Sequence, residues 1–301
     1  MRVLLAYIGM VLLWATTPLA IKWSVDGFGV LGGVTSRMTI GTLCMILLLL
    51  LLKKRLPFSR IACLTYAAVA LQIYGAMCVV YWGAQFIPSG WISVVSGLNP
   101  LVTALFAAIW LNERSFTFGK ILSYLLGIVG LAIMFGSADK LNSDAMFGVF
   151  GVLASVALQA LSAIAIKRIR SKLPALSQVT GGLLFALPFY FVTFEMGGGD
   201  IPLQFSLIHF LSVLYLGVIA TPVGFMLYYY LLSQRSATQV SLVTLVSPVL
   251  SLWLGHSANN EPMTLDIIIG TTLILLALVI HNASFWKFIH FSQHGKRKHT
   301  H

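Results

Sequence analysis

The chain has 301 residues, of which 58% are hydrophobic and 9% charged, with a formal net charge of +11. A soluble domain carries about a quarter charged residues. A mean hydropathy of +0.93 and repeated apolar runs of about twenty residues exclude one, so the chain reads as an all-α polytopic membrane protein.

Hydropathy predicts ten transmembrane helices, near residues 3–22, 28–52, 61–83, 89–111, 118–136, 145–166, 175–195, 206–231, 237–256 and 264–283. The first follows Arg2 and looks like a signal peptide without a cleavage site, so it is expected to be retained. Trp14 and Thr17 share one of its faces. The second carries Arg37, the one charge well inside a span, about 14 Å from the outer end at the helical rise. An ionisable residue at that depth is a functional candidate by default. The third holds Gln72 near its middle, whose amide has both donors and acceptors to satisfy, and Tyr81. Down the fourth runs a stripe of small or polar residues at steps of three or four: Ser89, Ser93, Ser96, Asn99 and Thr103. On the fifth, Ser123 and Gly127 suit either a homodimer contact or packing within the bundle. Ser155, Gln159 and Ser162 share a face of the sixth. The ninth repeats the stripe of the fourth through Ser241, Thr244, Ser247 and Ser251. A basic cytoplasmic tail is expected over 284–301. Cys44, Cys63 and Cys78 lie in apolar segments at no ligand spacing and read as small core residues.

An even number of spans places both ends on one side. The inner segments then hold every Lys and Arg except Lys22, Arg37 and Lys140, and every acid except Glu113 falls outside or at the outer edge. That bias sets both termini in the cytoplasm. It also assigns the basic surplus to topology and anionic lipid rather than to nucleic acid. Trp23, Trp286 and Tyr228–Tyr230 are expected in the interfacial aromatic belt, with Lys22 and Lys167 as interfacial anchors. Short ends without a targeting extension point to a bacterial inner (plasma) membrane.

A shift of 148 residues superposes Pro100 on Pro248, Asn112 on Asn260, Glu113 on Glu261 and Tyr81 on Tyr229. Ser93, Ser96, Asn99 and Thr103 meet Ser241, Thr244, Ser247 and Ser251. Nearer the starts a shift of 145 works: A-I-K at 20–22 meets A-I-K at 165–167. The halves are residues 1–136 and 145–283, five helices each, so the second copy is inverted. Inverted repeats with a site between them are the architecture of many secondary transporters. The repeated glutamates themselves are expected to end spans at the interface.

W-A-T-T-P-L-A-I-K at 14–22, S-R-M-T-I-G at 36–41, P-L-V-T-A-L-F-A-A-I-W-L-N-E at 100–113, P-V-L-S-L-W-L-G-H-S-A-N-N-E-P at 248–262 and I-I-I-G at 267–270 together resemble the EamA family of the drug/metabolite transporter superfamily. The resemblance covers nearly the whole chain. It implies two inverted five-helix bundles and export or exchange of small metabolites. One departure is His256-Ser257-Ala258-Asn259, where the family has an apolar stretch ending in Gly-Glu.

The candidate substrate-binding residues are Trp14, Thr17, Arg37, Gln72, Tyr81, Ser96, Asn99, Gln159, Ser162, Thr244 and Ser247, because polar groups facing lipid would lack partners. Pro100 and Pro248 are candidate hinges, since each interrupts helical hydrogen bonding. No Asp or Glu occurs mid-span, which favours facilitated diffusion or exchange over a carboxylate proton relay. The expected function is an alternating-access carrier exporting a small polar metabolite, first of all amino acids or related compounds. The rivals are a nucleoside, sugar-derivative or drug carrier, and a non-transporting membrane scaffold. No enzyme motif, metal site or cofactor site is expected: G-G-G-D at 197–200 reads as a turn, and H-F-S-Q-H-G-K-R-K-H-T-H at 290–301 as a solvated basic terminus. Cysteine-accessibility labelling is expected to place positions 113 and 261 on opposite faces of the bilayer; labelling from the same face would remove the inverted repeat.

Overall fold

The computed structural model describes residues 2–110, 118–138, 144–199, 205–236, 239–240 and 246–296, with backbone only over 282–296. Within hydrocarbon every backbone N–H and C=O must be satisfied inside its own segment, which is why apolar runs of this length become helices. In chain order they are α1 (Arg2–Leu51), α2 (Arg60–Ala70), a π-helical turn (Leu71–Ala76), α3 (Met77–Ala84), α4 (Ser89–Ser96), α5 (Asn99–Trp110) and α6 (Phe118–Ala138). There follow α7 (Ala145–Ile169), α8 (Ala175–Met196), α9 (Leu207–Tyr215), a second π-helical turn (Leu216–Ala220), α10 (Thr221–Gln234), α11 (Ser247–Asn259) and α12 (Leu265–Lys296).

Among the described residues, six helical stretches are long and apolar enough to cross a membrane: Val3–Leu51, Arg60–Ala84, Ser89–Trp110, Ala145–Ile169, Ala175–Met196 and Leu207–Gln234. Phe118–Met134 and Leu265–His281 are apolar but shorter. Leucines, isoleucines and phenylalanines such as Leu43, Leu47, Ile128, Phe150 and Phe189 are exposed on the outside of the bundle, as a lipid-facing surface requires. This is an integral membrane protein.

Several boundaries differ from the sequence expectation. No loop separates the first two predicted helices. They meet at Gly29, whose φ of 69° and ψ of 174° a side chain would resist. A Cβ on Gly33 would lie 3.2 Å from the carbonyl oxygen of Ser24. Nine residues along a straight helix would separate them by about 13 Å, so the chain doubles back at Gly29. The predicted fourth helix is broken between Ser96 and Asn99, and the third and eighth each contain a π-helical turn. Of the predicted ninth helix, 241–245 lie outside the described residues, as do Asn112 and Glu113. The tail expected from 284 instead continues α12 as helix to Lys296.

The two arms of α1 pack on α3, α4, α8, α9, α10 and α11; α7 packs on α2, α3 and α5, and α6 lies along α12. Small residues set these distances. A Cβ on Gly83 would meet the Gly148 carbonyl oxygen at 2.8 Å, and one on Gly148 the Gly83 oxygen at 2.9 Å, so α3 and α7 touch backbone to backbone. On α6, a Cβ at Gly127 would meet Leu98 and Leu101, and buried Ser123 bonds the Gly119 carbonyl. That face serves packing within the bundle.

Charges finish the helices. Lys22 Nζ donates to the carbonyls of Ala84 (2.9 Å) and Gln85 (3.3 Å) at the end of α3, and Lys167 Nζ donates to the Arg235 carbonyl at the end of α10. The lysines of the repeated A-I-K are therefore helix C-terminal caps, favoured by the helix dipole, rather than lipid-interface anchors. Glu261 is likewise not an interfacial terminus. It is 8% exposed, and its carboxylate accepts from the backbone N–H groups of Ser89 (2.8 Å) and Gly90 (3.0 Å) at the start of α4. The divergent His256–Asn259 segment holds this acid in place. Asn259 Nδ2 donates to Glu261 Oε1, His256 Nδ1 is 2.9 Å from the Glu261 carbonyl oxygen, and Asn260 turns the chain at φ 50°. A Cβ at Gly255 would come within 2.3 Å of Glu261 Oε2. Replacing Glu261 by Ala leaves two buried N–H groups without an acceptor, at about 1–3 kcal/mol. The detergent-solubilised variant is expected to melt several degrees below wild type, and an unchanged melting temperature would refute the cap.

Candidate functional site

The central cavity lies where α1, the two π-helical turns, α3, α4, α5, α7, α10 and α11 meet. The space it encloses, open solvent at its mouth included, is about 740 Å³. Its polar lining consists of Trp14, Thr17, Arg37, Gln72, Ser93, Ser96, Asn99, Gln159 and Ser247, and its apolar lining includes Ile21, Met77, Val80, Ile92 and Phe225.

Arg37 is 3% exposed, which excludes snorkelling to the interface. Its Nε donates to Thr221 Oγ1 at 2.9 Å, and its guanidinium carbon lies 6.0 Å from the centre of the Tyr81 ring. Nη1 is buried with no hydrogen-bond partner among the described residues. The glycines explain how Thr221 comes so near. A Cβ on Gly41 would meet Thr221 Cγ2 at 2.7 Å, and one on Gly217 would meet Ile40 Cβ at 2.7 Å and the Arg37 carbonyl oxygen at 3.2 Å. The second π-helical turn thus lies directly against the arm of α1 that carries Arg37.

On the opposite wall the amides form a chain. Thr103 Oγ1 donates to Asn99 Oδ1 (2.7 Å), Asn99 Nδ2 to Gln159 Oε1 (3.4 Å), and Gln159 Nε2 to Ser155 Oγ (3.2 Å), tying α5 to α7. Gln72, in the first π-helical turn, accepts from the Tyr229 hydroxyl at 2.9 Å. The Trp14 ring stacks on Tyr228, 5.9 Å between centroids at 23°. Thr17 bonds its own helix at the Leu13 carbonyl. Several interruptions of regular helix adjoin this cavity: Gln72 and Ala220 lie in the π-helical turns, Ser96 and Asn99 flank the break before Pro100, and Ser247 begins α11 just before Pro248.

Other predicted residues lie away from this lining or outside the described residues. Ser162 is fully buried and donates to the Ala68 carbonyl (2.7 Å); it lies behind the lining, joining α7 to α2. Tyr81 is also behind it, its ring beside Arg37. Thr244 lies outside the described residues. Tyr228 and Tyr229 are buried rather than interfacial, at 5% and 0% exposure, and half-buried Trp23 donates its indole N–H to Asn259. Tyr229 could have been found from sequence, because it is the repeat counterpart of Tyr81. Thr221 carries no comparable signal, since only the packing of α1 on the second π-helical turn brings it to Arg37.

The model of the EamA-like transporter family matches residues 1–136 and 146–283. The chain belongs to this family. Among its relatives, an uncharacterized transporter of Bacillus subtilis, YoaV, is 26% identical over 94% of this chain and 98% of that protein. A probable terminal-alkyne amino-acid exporter of Streptantibioticus cattleyicolor is 25% identical over 95% of this chain and 96% of that one. One solved crystal structure shares the fold, with a TM-score of 0.68 at 18% identity over 93% of this chain and 96% of that chain. The membrane-crossing helices thus belong to a transporter.

Proposed function

We propose that the chain is an alternating-access secondary transporter that exports a small polar organic metabolite, an amino acid or a related carboxylate. The single observation that carries this reading is the buried Arg37 Nη1, which has no hydrogen-bond partner among the described residues and belongs to a residue lining a cavity otherwise furnished with amides and hydroxyls. A carboxylate is the natural acceptor for a guanidinium. Gln72, Asn99 and Gln159 offer both donors and acceptors for an amino group or an amide. Among the described lining residues there is no acid, which favours a carboxylate-bearing substrate over a drug-like cation. The relative named as an amino-acid exporter points the same way.

Alternating access follows from the proposed pair of inverted five-helix repeats. Three observations support the repeat. The family model matches twice. The two π-helical turns begin 145 residues apart, at Leu71 and Leu216, the offset at which A-I-K recurs. And the two lysines of A-I-K perform the same capping role on α3 and α10. Pro100 and Pro248 each sit second in the helix that follows a break or turn, where bending requires no helical hydrogen bond to be broken. In this reading both termini are cytoplasmic, the membrane is a bacterial inner membrane, and the chemistry is translocation rather than catalysis.

Comparing exported metabolites of overexpressing and deleted cells identifies the substrate, and radiolabelled efflux from proteoliposomes then measures it. Saturable flux is expected, reduced at least about tenfold by Arg37→Gln, the effect of losing 1.4 kcal/mol. Absence of saturable flux would leave a scaffold. Pro100→Ala and Pro248→Ala are expected to slow transport without abolishing binding. Wild-type rates in both would remove the hinges.

A further inference from the structure

A second and larger cavity opens at the end of the bundle that carries the α7–α8 connection, enclosing about 1220 Å³ with its mouth. Its charged lining is wholly basic: Lys167, Arg170 and Lys172. Arg170 ends α7 in the left-handed conformation, φ 53°, which folds the segment up to Pro174 over the cavity. There α8 begins, and no side chain caps its N-terminus, so its first N–H groups add positive potential at the same wall. Gln178 completes that wall. It is 3% exposed, its Nε2 donates to the Leu173 carbonyl, and its Oε1 is buried with no partner among the described residues. The site therefore offers several donors and cations together with one unfilled acceptor.

We propose that this vestibule binds inorganic hydrogen phosphate. The negative oxygens meet the basic side chains and the α8 N-terminus, and the P–OH donates to Gln178 Oε1. A fully deprotonated oxyanion such as sulfate satisfies the first set and leaves Gln178 unpaired. A phosphodiester headgroup has the same shortfall at its phosphorus. The vestibule also shares a wall with the central cavity. Tyr229 lines it, and the Tyr229 hydroxyl bonds Gln72 on the other side. A role as a station in series with the central cavity rests on the transport reading above; the binding itself does not.

The test is equilibrium binding of radiolabelled inorganic phosphate to the full chain in phosphatidylcholine nanodiscs. Wild type is expected to bind phosphate in preference to sulfate. The pair Arg170→Gln and Lys172→Gln, both exposed residues, is expected to weaken binding about tenfold or more by removing two charge-assisted contacts. Arg37→Gln should leave it unchanged. Equal binding by wild type and the double variant overturns the site. Loss with Arg37→Gln alone moves the anion to the central cavity and overturns it equally. Sulfate binding as well as phosphate overturns the role of Gln178. Phosphatidylglycerol nanodiscs that abolish phosphate binding assign the site to a lipid headgroup instead. None of these outcomes depends on flux.

Discussion

Hydrocarbon supplies no hydrogen-bond partners, and this one constraint sorts the polar residues of the chain. Short hydroxyls solve it locally. Thr17, Thr42, Thr65 and Thr180 each donate to the carbonyl four residues back on their own helix, an arrangement open to any helical Ser or Thr. Arginine and the amides cannot do so, because they carry too many donors and reach too far. Arg37, Gln72, Asn99 and Gln159 must find one another, another helix, or a wet space, and they do so around a single cavity. The site is thus the place where the membrane's prohibition leaves the large polar groups.

The same constraint governs the backbone ends. A helix that stops within or near the bilayer exposes N–H or C=O groups that water cannot freely reach. Here charged side chains from distant segments serve them: Lys22 at the end of α3, Lys167 at the end of α10, and Glu261 at the start of α4. Each of these contacts requires close approach, and small residues permit it. Gly255 leaves room for the Glu261 carboxylate, and Gly41 with Gly217 brings Thr221 to Arg37. Polar satisfaction and small-residue packing are one design seen from two sides.

How much of this is legible in the sequence follows from the range of each interaction. Apolar length and basic-residue bias are local, so the helical stretches can be read directly; hydropathy separates the first two at 23–27, and only the backbone geometry shows that the chain turns at Gly29. Polar residues inside a span announce themselves, which is why Arg37, Gln72, Asn99 and Gln159 stand out in advance. Their partners do not. Thr221 looks like any helical threonine until the π-helical turn sets it against α1. Ser162 shares a face with Gln159, yet the carbonyl of Ala68 claims its hydroxyl first. Glu261 reads as a surface acid because sequence alone cannot bring α4 to it. Tyr229 is the instructive case: aromatic clustering suggests an interfacial belt, while the 148-residue shift pairs it with Tyr81, and both rings are buried.

The irregular backbone closes the argument. A π-helical turn or a break frees carbonyl and amide groups from the regular ladder, and lipid would penalise each of them. Breaks are more readily tolerated where a cavity lies beside them, and among the described residues four interruptions flank the lining, at Gln72, at Ala220, between Ser96 and Asn99, and at Ser247, while the turn at Gly29 lies away from it. The side chains offered to a ligand sit on the segments of helix with the fewest internal bonds to resist bending. A ligand bridging Gln72 and Asn99 would pull on the first π-helical turn and on the break before Pro100 together. In the proposed alternating-access function, binding and deformation would share the same residues, and the coupling would require no separate relay between site and hinge.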